Sequence, residues 1–416
     1  MGVDRALRPT LKENEAVFRQ LLQNHRGAIF RRIPLPGTPC EPSPEALLIF
    51  FEAQQDDFRL EVSVIRPLIE GDVTREGLPR HVASSTVPMK SFDEALAYLY
   101  RGKVLLLWEG SGAVVAVEVA EPPARPITPP DTESGVSGPR ESLSELLVIN
   151  LTMLRRRYPG PDLHLETTWI GKDAQLEAVM CYLEGKPEQR VLDVVRQRLA
   201  KLKHDGLQDA TELTEALSDS SLTVFPTIMV SERPDIIIHY LKAGRVAVLL
   251  DNSPRALIGP VLFMDFLASA DDYYEWRPFV AFLRLLRFIA FNIAVPLPAL
   301  YVAVTTYHLQ ALPTQLTLSL LAQREGAPLP PPVEAAVMTL MFEILREAGV
   351  RLPRAIGPTV SIVGGLVIGD AAIRSGLTSP AMVLVVSATA VATFSLPSVT
   401  MANAATYYRF FVLALT

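Results

Sequence analysis

The sequence predicts a multidomain membrane protein, in which tandem α/β soluble subdomains are followed by an α-helical transmembrane bundle. Three observations support this prediction. Charged residues are frequent in the first two thirds of the chain and sparse afterwards, a sequence pattern recurs in the first part, and long charge-free apolar runs occur in the second. A single soluble domain does not combine a charge-rich part with a charge-poor apolar part.

Charge and composition exclude several classes of protein. Residues 1–278 carry 31 Lys/Arg and 40 Asp/Glu, whereas residues 279–416 carry 8 Arg, no Lys and 5 Asp/Glu. The acidic first part has no basic tract, which argues against nucleic acid as a partner. Cys40 and Cys181 are far apart, so neither a disulfide framework nor a thiolate zinc site is expected. The N-terminus lacks the apolar segment of a secretory signal, so we expect the first part in the cytoplasm.

An internal repeat predicts the architecture of the first part. The pattern Tyr-Leu-x-x-Gly-Lys/Arg-Val-x-x-Leu occurs at residues 98–107 and again, 142 positions later, at 240–249. An acidic residue follows each copy, Glu109 in the first and Asp251 in the second. Each copy is typical of a helix end, a glycine after the helix and a buried strand. We interpret the repeat as two related α/β subdomains, with a chance match as the alternative.

A proline-rich stretch separates the two copies, because five of the eleven residues at 121–131 are proline. Such a stretch cannot hold a helix and is expected to be an extended linker. The predicted domains are therefore a first cytoplasmic α/β subdomain at 1–120, a linker at 121–137, a second cytoplasmic α/β subdomain at 138–278 and a helical membrane domain at 279–416.

Local signals predict the main elements of both subdomains. In the first, residues 46–51 are predicted as a strand and Phe92–Tyr100 as a helix capped by Ser91. In the second, a strand is predicted at Leu176–Leu183 and helices are predicted at residues 141–157, 188–203 and Pro234–Lys242.

Apolar runs predict the membrane spans, each of which needs about 20 residues. Residues 288–323 and 376–408 contain no Asp, Glu, Lys or Arg. Residues 333–350 contain three glutamates and an arginine, so they are predicted either as an interfacial helix or as a helix that faces protein or water inside the membrane. Spans are predicted at residues 288–307, 356–373 and 380–399.

The distribution of arginine predicts the orientation of the spans. If residues 333–350 span, six arginines lie on the side of the N-terminus and two on the other, which predicts a cytoplasmic N-terminus. The last apolar run, residues 402–416, is interrupted by Arg409 and is predicted to be an incomplete helix.

Catalytic signatures are missing from the sequence. It contains no phosphate-binding loop, no dinucleotide fingerprint, no HExxH and no GxSxG. The six histidines stand singly, without a partner at metal-ligand or triad spacing. The sequence therefore predicts a protein that is not an enzyme and has no cofactor and no metal site.

Polar and small residues in the apolar part are candidates for a pore. Four side chains between residues 334 and 345 align on one helical face, where they either line an ion pathway or pack against a neighbouring helix. A ring of carboxylates would attract cations, and methionines would form an apolar constriction. Two adjacent glycines make the following helix the rival lining element. The pore-lining candidates are Glu334, Met338, Met341, Leu345, Gly364 and Gly365.

Charged residues around the predicted helix at 141–157 are candidates for contacts between subunits or subdomains. An acid suits the start of a helix and arginines suit its end, so simple helix capping is the alternative. The interface candidates are Arg140, Glu141, Arg155, Arg156 and Arg157.

A series of short runs, in order along the chain, matches one family pattern. The runs are Gly-Pro-Arg-Glu at 138–141, Asn150, the arginines at 155–157, Phe-Pro-Thr-Ile at 225–228, Glu-Arg-Pro-Asp at 232–235, Gly-Arg-Val at 244–246, Asp-Asp-Tyr-Tyr-Glu at 271–275, Leu-Leu-Arg at 285–287, Arg-Glu-Gly at 324–326 and Phe-Glu-Ile-Leu-Arg-Glu-Ala-Gly at 342–349. Together they resemble the A-subunit family of spore germinant receptors (GerA type), which also contains the stage V sporulation protein AF. The resemblance runs from about residue 30 to the end.

The resemblance implies a subunit of a nutrient-gated ion channel in a spore germinant receptor complex, which releases monovalent cations to trigger germination. It implies a homo-oligomer, a pentamer in the family, in the inner spore membrane with the soluble region on the cytoplasmic (core) side. The implied partners are a transporter-like B subunit, a C-type lipoprotein subunit, membrane lipid and monovalent cations. The alternative is a non-conducting scaffold or signal-coupling subunit of the same complex. Both branches of the family remain open.

Overall fold

The computed structural model describes residues 7–8, 10–23, 25–35, 45–52, 57–70, 87–109, 113–119, 133, 137–171, 176–202, 209–218, 224–324, 328–351 and 357–416. The proline-rich residues of the predicted linker and Cys40 lie outside these ranges. By its internal contacts the chain forms two compact units. The N-terminal unit comprises Met1–Ser221 and Thr227–Val261, and the C-terminal unit comprises Leu222–Pro226 and Leu262–Thr416.

The N-terminal unit contains two five-stranded antiparallel sheets of the same strand order. The first sheet consists of β1 (Ala28–Pro34), β2 (Glu45–Phe51), β3 (Val87–Met89), β4 (Val104–Trp108) and β5 (Val114–Val117). The second sheet consists of β6 (Leu163–Ile170), β7 (Leu176–Leu183), β8 (Met229–Ser231), β9 (Val246–Leu250) and β10 (Ala256–Gly259). The orders are β1-β2-β4-β5-β3 and β6-β7-β9-β10-β8. The second sheet therefore repeats the topology of the first.

Helices pack against both faces of these sheets. Those on the first sheet are α1 (Leu11–Leu21), α2 (Asp57–Leu60), α3 (Arg66–Glu70) and α4 (Phe92–Tyr100), with a π-helical turn at Glu61–Ile65. Those on the second are α5 (Leu147–Arg157), α6 (Gln189–Lys201), α7 (Leu213–Leu217) and α8 (Pro234–Lys242). In the first sheet, α1 and α4 cover one face and the segment from α2 to α3 covers the other. Each sheet with its helices is one subdomain, and the predicted α/β class of this region is confirmed.

The internal repeat seen in the sequence has a structural counterpart in both subdomains. Helices α4 and α8 are each followed by a glycine, Gly102 and Gly244, with a φ of 82° in both. Residues with a side chain are strained in this left-handed conformation, which explains why both copies keep glycine. At Gly244 an added Cβ would also lie 2.9 Å from the carbonyl oxygen of Lys186. The glycine turns the chain directly into β4 or β9.

The acidic residue after each copy of the repeat caps a helix of the same subdomain. The backbone N–H of Leu11 donates to Glu109 Oε2 at 3.0 Å, and that of Leu147 donates to Asp251 Oδ1 at 3.2 Å. These residues begin α1 and α5, where free N–H groups and the helix dipole favour a carboxylate. The sequence repeat included this acidic residue, but the spacing of the repeat did not show which helix the residue caps.

One asparagine in each subdomain holds the segment that precedes the first helix. Asn14 accepts a hydrogen bond from the N–H of Arg8 at 2.8 Å and donates to its carbonyl at 2.7 Å. Asn150 makes the same pair of bonds with Ser144, at 2.8 and 2.6 Å. Both asparagines are buried. The two subdomains therefore share this pair of asparagine hydrogen bonds as well as a strand order.

The predicted helix at residues 141–157 begins later than expected. It starts at Leu147, and the prediction of its start at Glu141 is wrong. The preceding residues use their backbone groups elsewhere, because the N–H of Leu143 donates to the carbonyl of Glu232 at 2.8 Å and that of Ser144 donates to Asn150. The strand at Leu176–Leu183, the helix at Pro234–Lys242 and the helix at Phe92–Tyr100 with its Ser91 cap are confirmed.

The C-terminal unit is helical throughout its described length. Its helices are α9 (Arg277–Ala294), α10 (Leu297–Thr306), α11 (Thr314–Arg324), α12 (Pro331–Arg351), α13 (Gly357–Arg374), α14 (Pro380–Phe394) and α15 (Val399–Ala414). Short 3₁₀ turns at Phe263–Leu267 and Ala270–Tyr273 precede α9. An apolar cluster from α10, α12, α13, α14 and α15 forms its main core.

Two of the predicted spans are not single helices. The span at 288–307 breaks between α9 and α10 at Pro296, and the span at 380–399 ends at Phe394, before Pro397. Proline lacks the N–H that a continuing helix needs, which explains both breaks. Among the described helices none alone has the length and apolarity of a membrane span, while α9 and α10 meet that test as a pair bent by 48°.

The compact N-terminal unit ends before the predicted domain boundary at residue 278. Residues from Leu262 onward belong to the C-terminal unit. The cause is Asp272, which accepts hydrogen bonds from Arg284 and Arg287 of α9 at 3.0 and 2.8 Å. These ion pairs fix the acidic segment before α9 to the helix itself.

Candidate functional site

Glu334, in the first turn of α12, is a buried carboxylate with one satisfied and one free oxygen. Its side chain lies inside the C-terminal unit, with 1% of the residue exposed. Oε1 accepts hydrogen bonds from Thr378 Oγ1 at 2.7 Å, from the backbone N–H of Ser379 at 2.6 Å and from Ser379 Oγ at 2.9 Å. Oε2 has no hydrogen-bond partner among the described residues. Ser379 is the N-cap of α14, so the carboxylate closes the positive end of that helix.

The predicted stripe of pore-lining side chains is not an open face of the chain. Met338 is buried in the apolar core with Ala299, Val302 and Met382, and Glu334 points to the start of α14. The alignment on one helical face was correct, but that face turns towards neighbouring helices of the same chain. Met341 and Leu345 are half-buried, and a pore-lining role for them stays a prediction.

The two candidate glycines of α13 differ in their surroundings. A Cβ added at Gly364 would lie 3.0 Å from Leu345 Cδ2, so this glycine permits the close approach of α12 and α13. A Cβ added at Gly365 would meet nothing within 4 Å. Gly365 therefore faces outward from the chain, and packing within the chain does not require it.

A second buried charge joins four helices of the C-terminal unit. Arg409 of α15 is 1% exposed and pairs with Glu343 of α12 through Nη1 and Oε1, at 3.1 Å. Its Nε donates to the carbonyl of Ala294 at the end of α9, at 2.8 Å, and its Nη2 donates to Thr393 Oγ1 of α14, at 2.5 Å. Glu343 also pairs with Arg346 at 2.8 Å. The sequence marked Arg409 only as an interruption of an apolar run.

In the N-terminal unit, Arg155 joins the two subdomains. It lies in the last turn of α5 and is 5% exposed. Its guanidinium donates to the carbonyl of Arg26 and lies over the ring of Phe51, 4.2 Å from the centroid, and both of these residues belong to the first subdomain. Burial, and then the charge of Arg26, lower the pKa of Arg155 to about 10. Arg26 itself pairs with Glu177 of β7 through two hydrogen bonds, at 2.5 and 2.7 Å.

The remaining interface candidates lie at the surface of the second subdomain. Glu141 pairs with Arg156 at 2.6 Å and with Arg157 at 2.5 Å. Arg140 is exposed. Glu141 and these two arginines therefore pair with each other, and Glu141 lies outside the helix, so the alternative in which it caps the helix start is wrong. A role of these residues between subunits stays a prediction.

A further buried ion pair was missed from the sequence. Arg233, immediately before α8, is 1% exposed and pairs with Asp235 at 2.8 Å. It also donates to the carbonyl of Pro139 at 3.2 Å. The predicted helix does begin at Pro234, immediately after this arginine. The signal for the pair was an arginine and an aspartate on either side of Pro234, at the start of a helix whose next three residues are isoleucine.

Two histidines also meet between the subdomains. His25 Nε2 lies 3.1 Å from the hydroxyl of Tyr100, and the rings of His25 and His164 are 5.5 Å apart. Burial, together with the nearby charges of His164 and Arg155, lowers the pKa of His25 to about 4. His164 Nε2 lies 3.3 Å from Glu184. The isolated positions of these histidines in the sequence gave no signal of their contact.

The described residues offer no ready metal centre. No group of three or more His, Cys, Asp or Glu side chains among them is arranged to hold a metal ion. Cys181 is a buried free thiol, and burial raises its pKa to about 12.

Comparison with known proteins identifies the family. A family model described as Bacillus/Clostridium GerA spore germination protein matches residues 16–416. The chain belongs to the GerA family. The resemblance inferred from the short runs is therefore confirmed.

Several relatives are similar to this GerA-family chain over nearly its whole length. Spore germination protein KA of Bacillus subtilis (strain 168) is 35% identical over 98% of this chain and 76% of that protein. Spore germination protein A1 of the same organism is 31% identical over 97% and 80%. The uncharacterized membrane protein YfkQ, also from that organism, is 33% identical over 98% and 80%.

One solved structure is similar to part of the chain. It is the crystal structure of the N-terminal domain of the A subunit of the Bacillus megaterium spore germinant receptor GerK3. The TM-score is 0.48 at 23% sequence identity, over 63% of this chain and 99% of that one.

Four of the runs that matched the GerA pattern meet in two pairs, one pair within each unit. The run at 138–141 contacts the run at 232–235 through Arg233, and the run at 271–275 contacts the run at 285–287 through Asp272. Residues distant in sequence are thus held together by buried charges.

Proposed function

We propose that this chain is a membrane subunit of a spore germinant receptor, and that an oligomer of it conducts monovalent cations to trigger germination. Membership of the GerA family supports the germination role. The relative named as a membrane protein and the bent apolar pair α9–α10 support a position in a membrane. The proposal places the α/β region on the cytoplasmic (core) side of the inner spore membrane and assigns no catalytic step to the chain.

The observation that carries the conduction proposal is the inward direction of two carboxylates, the buried Glu334 and the half-buried Glu343, on one helix of an apolar unit. Residues 279–416 contain only five acidic residues, and two of them, Glu334 and Glu343, point into the helical interior from α12. Ionisable groups in an apolar environment cost several kcal/mol and are retained mainly where ions or protons are handled. Side chains of this kind attract cations into an otherwise apolar region.

The proposal includes an assembly. The chain would form a homo-oligomer, a pentamer, and would associate with a transporter-like B subunit and a C-type lipoprotein. Nutrient recognition would lie with the B subunit, and the buried charges of α12 would respond to it through movement of the helices around them. No part of this scheme involves nucleic acid.

Reconstitution tests the conduction proposal. The full chain, with and without its B-type and C-type partners, is incorporated into liposomes loaded with a K⁺-sensitive or Na⁺-sensitive dye. We expect cation flux that depends on the nutrient when the partners are present. Liposomes with assembled complex that never pass K⁺ or Na⁺ would rule out conduction.

A non-conducting scaffold is the second candidate, and one observation favours it. Glu343 is fully engaged by Arg409 and Arg346, and Arg409 binds helices α9, α12 and α14 at once. Such a network can hold helices together without touching an ion. In this case liposomes would show no flux, while Arg409→Met would still disrupt the assembly of the complex.

The lining helix can be identified with paired variants. Gly365→Met on α13 fills open space without a clash inside the chain, and a pore lined by α13 would lose most of its flux. Met341→Ala on α12 removes the proposed apolar constriction, and a pore lined by α12 would leak without nutrient. Val367→Met, at an exposed apolar position two residues from Gly365, is the matched control. Normal gating in both test variants would remove both helices from the pore.

A further inference from the structure

The free oxygen of Glu334 lies in a small polar site between α10, α12 and α14. The site is enclosed, because Glu334, Thr378 and Ser379 are all buried. The hydroxyl of Tyr301, on α10, is buried and interacts with Ser379 and Glu334, but it forms no hydrogen bond of good geometry to a described residue. Two oxygen atoms, Glu334 Oε2 and Tyr301 Oη, are thus left without partners in the same place.

Glu334 forms no ion pair with a described residue, although the charge of Arg324 acts on the neighbouring Tyr301 hydroxyl. Three hydrogen-bond donors converge on Oε1, and such donors stabilise a negative oxygen. Within the described residues, no arginine or lysine forms an ion pair with Glu334, in contrast to Glu343, which has two arginine partners. A buried carboxylate without a counter-charge is strongly disfavoured. A cation bound at Oε2 would supply that charge.

The chemistry of the site selects the class of cation. The partners offered are oxygen atoms, which hard cations prefer, and no nitrogen or sulfur ligand is present among the groups described here. One carboxylate carries one negative charge, so a monovalent ion neutralises the site, whereas a divalent ion would leave an excess positive charge beside the positive end of α14.

We propose that each chain binds one monovalent cation, Na⁺ or K⁺, at Glu334 Oε2, with the Tyr301 hydroxyl oxygen as a second ligand and water at the remaining positions. The bound ion would link α10 and α12 at the point where Glu334 also fixes the start of α14. The inference goes beyond the conduction proposed above, because an ion held inside one chain requires neither an open pore nor an oligomer.

Thermal unfolding of the full chain in detergent tests the site. The unfolding midpoint is measured while NaCl or KCl replaces choline chloride at constant ionic strength. A ligand that binds only the folded state raises the midpoint as its concentration rises. We expect a saturable rise of a few degrees in the wild type, no rise in Glu334→Gln, and a weaker apparent affinity in Tyr301→Phe, which removes one oxygen and keeps the ring.

Thr339→Val is the matched control. Thr339 lies on the same helix, is equally buried, and its hydroxyl has no hydrogen-bond partner among the described residues. Its variant should keep the full cation-dependent rise. A wild-type midpoint that responds equally to choline, Na⁺ and K⁺, or a rise that persists unchanged in Glu334→Gln, would overturn the proposal. If Glu334→Gln does not fold, an unchanged cation affinity in Tyr301→Phe would overturn it.

The outcome is separable from that of the conduction proposal. A cation-dependent midpoint in a chain whose liposomes show no flux supports this site and contradicts conduction. Flux through liposomes from a chain whose midpoint ignores Na⁺ and K⁺ contradicts this site and leaves conduction in place.

Discussion

The two subdomains of the N-terminal unit have the same architecture but use buried charge differently. Both have the same strand order, a positive-φ glycine after α4 or α8, and an asparagine that bonds to the backbone of the segment before α1 or α5. At matching positions before α4 and α8, the first subdomain has Ser91, which caps its helix, and the second has the buried Arg233. On α1 and α5, Arg19 is largely exposed and Arg155 is buried.

The two subdomains share some features and differ in others. Features present in both copies are those that the topology requires, namely the glycine turn, the loop closure and the acid that caps the first helix. Among the described residues of this unit, the buried arginines lie in the second copy, where they contact the other subdomain or the run at 138–141. In the first copy the buried charge is a carboxylate, Glu15.

The largest expected effect comes from removing a charge that only the second subdomain has. Arg233→Leu leaves Asp235 buried without its partner, which should cost about 3–5 kcal/mol of the free energy of unfolding of this subdomain. Arg19→Leu, in the first subdomain, removes an exposed arginine from the buried Glu15, which keeps Arg32 as a partner, and should cost less than about 1 kcal/mol. Hydrogen exchange of the amides in β9 and β4 measures the two effects separately. Equal losses would show that the two subdomains treat these charges alike.

The second effect is a pH dependence located between the subdomains. The pKa of His25 is about 4 in the folded chain and about 6.5 when unfolded, so the unfolded state binds more protons below pH 6.5. Stability is therefore complete above about pH 6.5 and is lost as the pH falls towards 4, by about 3 kcal/mol in total. Protonation of His25 would place a positive charge beside His164 and Arg155, which disfavour it. The hydroxyl of Tyr100, which also contacts His25, carries no charge to neutralise it.

Chemical denaturation at several pH values checks this prediction. His25→Gln should flatten the profile between pH 6.5 and 4, whereas His239→Gln, at an exposed position, should leave it unchanged. A wild-type profile that is already flat over this interval would contradict the role of His25.

These comparisons also show what the sequence could and could not predict. The glycine turn and the buried strands after it were predictable, because they depend on local patterns at fixed spacing. Edge strand β1 was missed since its two arginines and terminal proline hide the apolar alternation. The contacts of Arg155, Arg233 and Arg409 could not be predicted, because each joins residues that are distant along the chain. Glu334 was predicted as a pore-lining candidate. The sequence could not show that its side chain points to the start of α14, because that contact depends on how the helices pack.

The third prediction tests whether the shared loops are equivalent. Asn14→Ala and Asn150→Ala each remove two hydrogen bonds to the backbone N–H and carbonyl of one residue, Arg8 or Ser144. Each should cost about 1–3 kcal/mol, with similar values in the two subdomains. The measurement is the denaturation midpoint of the N-terminal unit in the full chain. A loss of stability in Asn150→Ala alone would mean that the segment before α5 contributes to stability and that the segment before α1 does not.

The smallest effect concerns the acids that cap α1 and α5. Glu109→Gln and Asp251→Asn keep a hydrogen-bond acceptor for the backbone N–H of Leu11 or Leu147 but remove the negative charge from the helix start. The interaction of a charge with a helix terminus contributes about 0.3–1 kcal/mol, so each variant should lower the free energy of unfolding by that amount. Added salt should reduce the difference from the wild type, because it screens exposed charge. Equal, salt-sensitive losses would establish that the acid after each copy of the repeat has one purpose in both subdomains, whereas a salt-independent loss at Asp251 alone would assign it a further contact in the second.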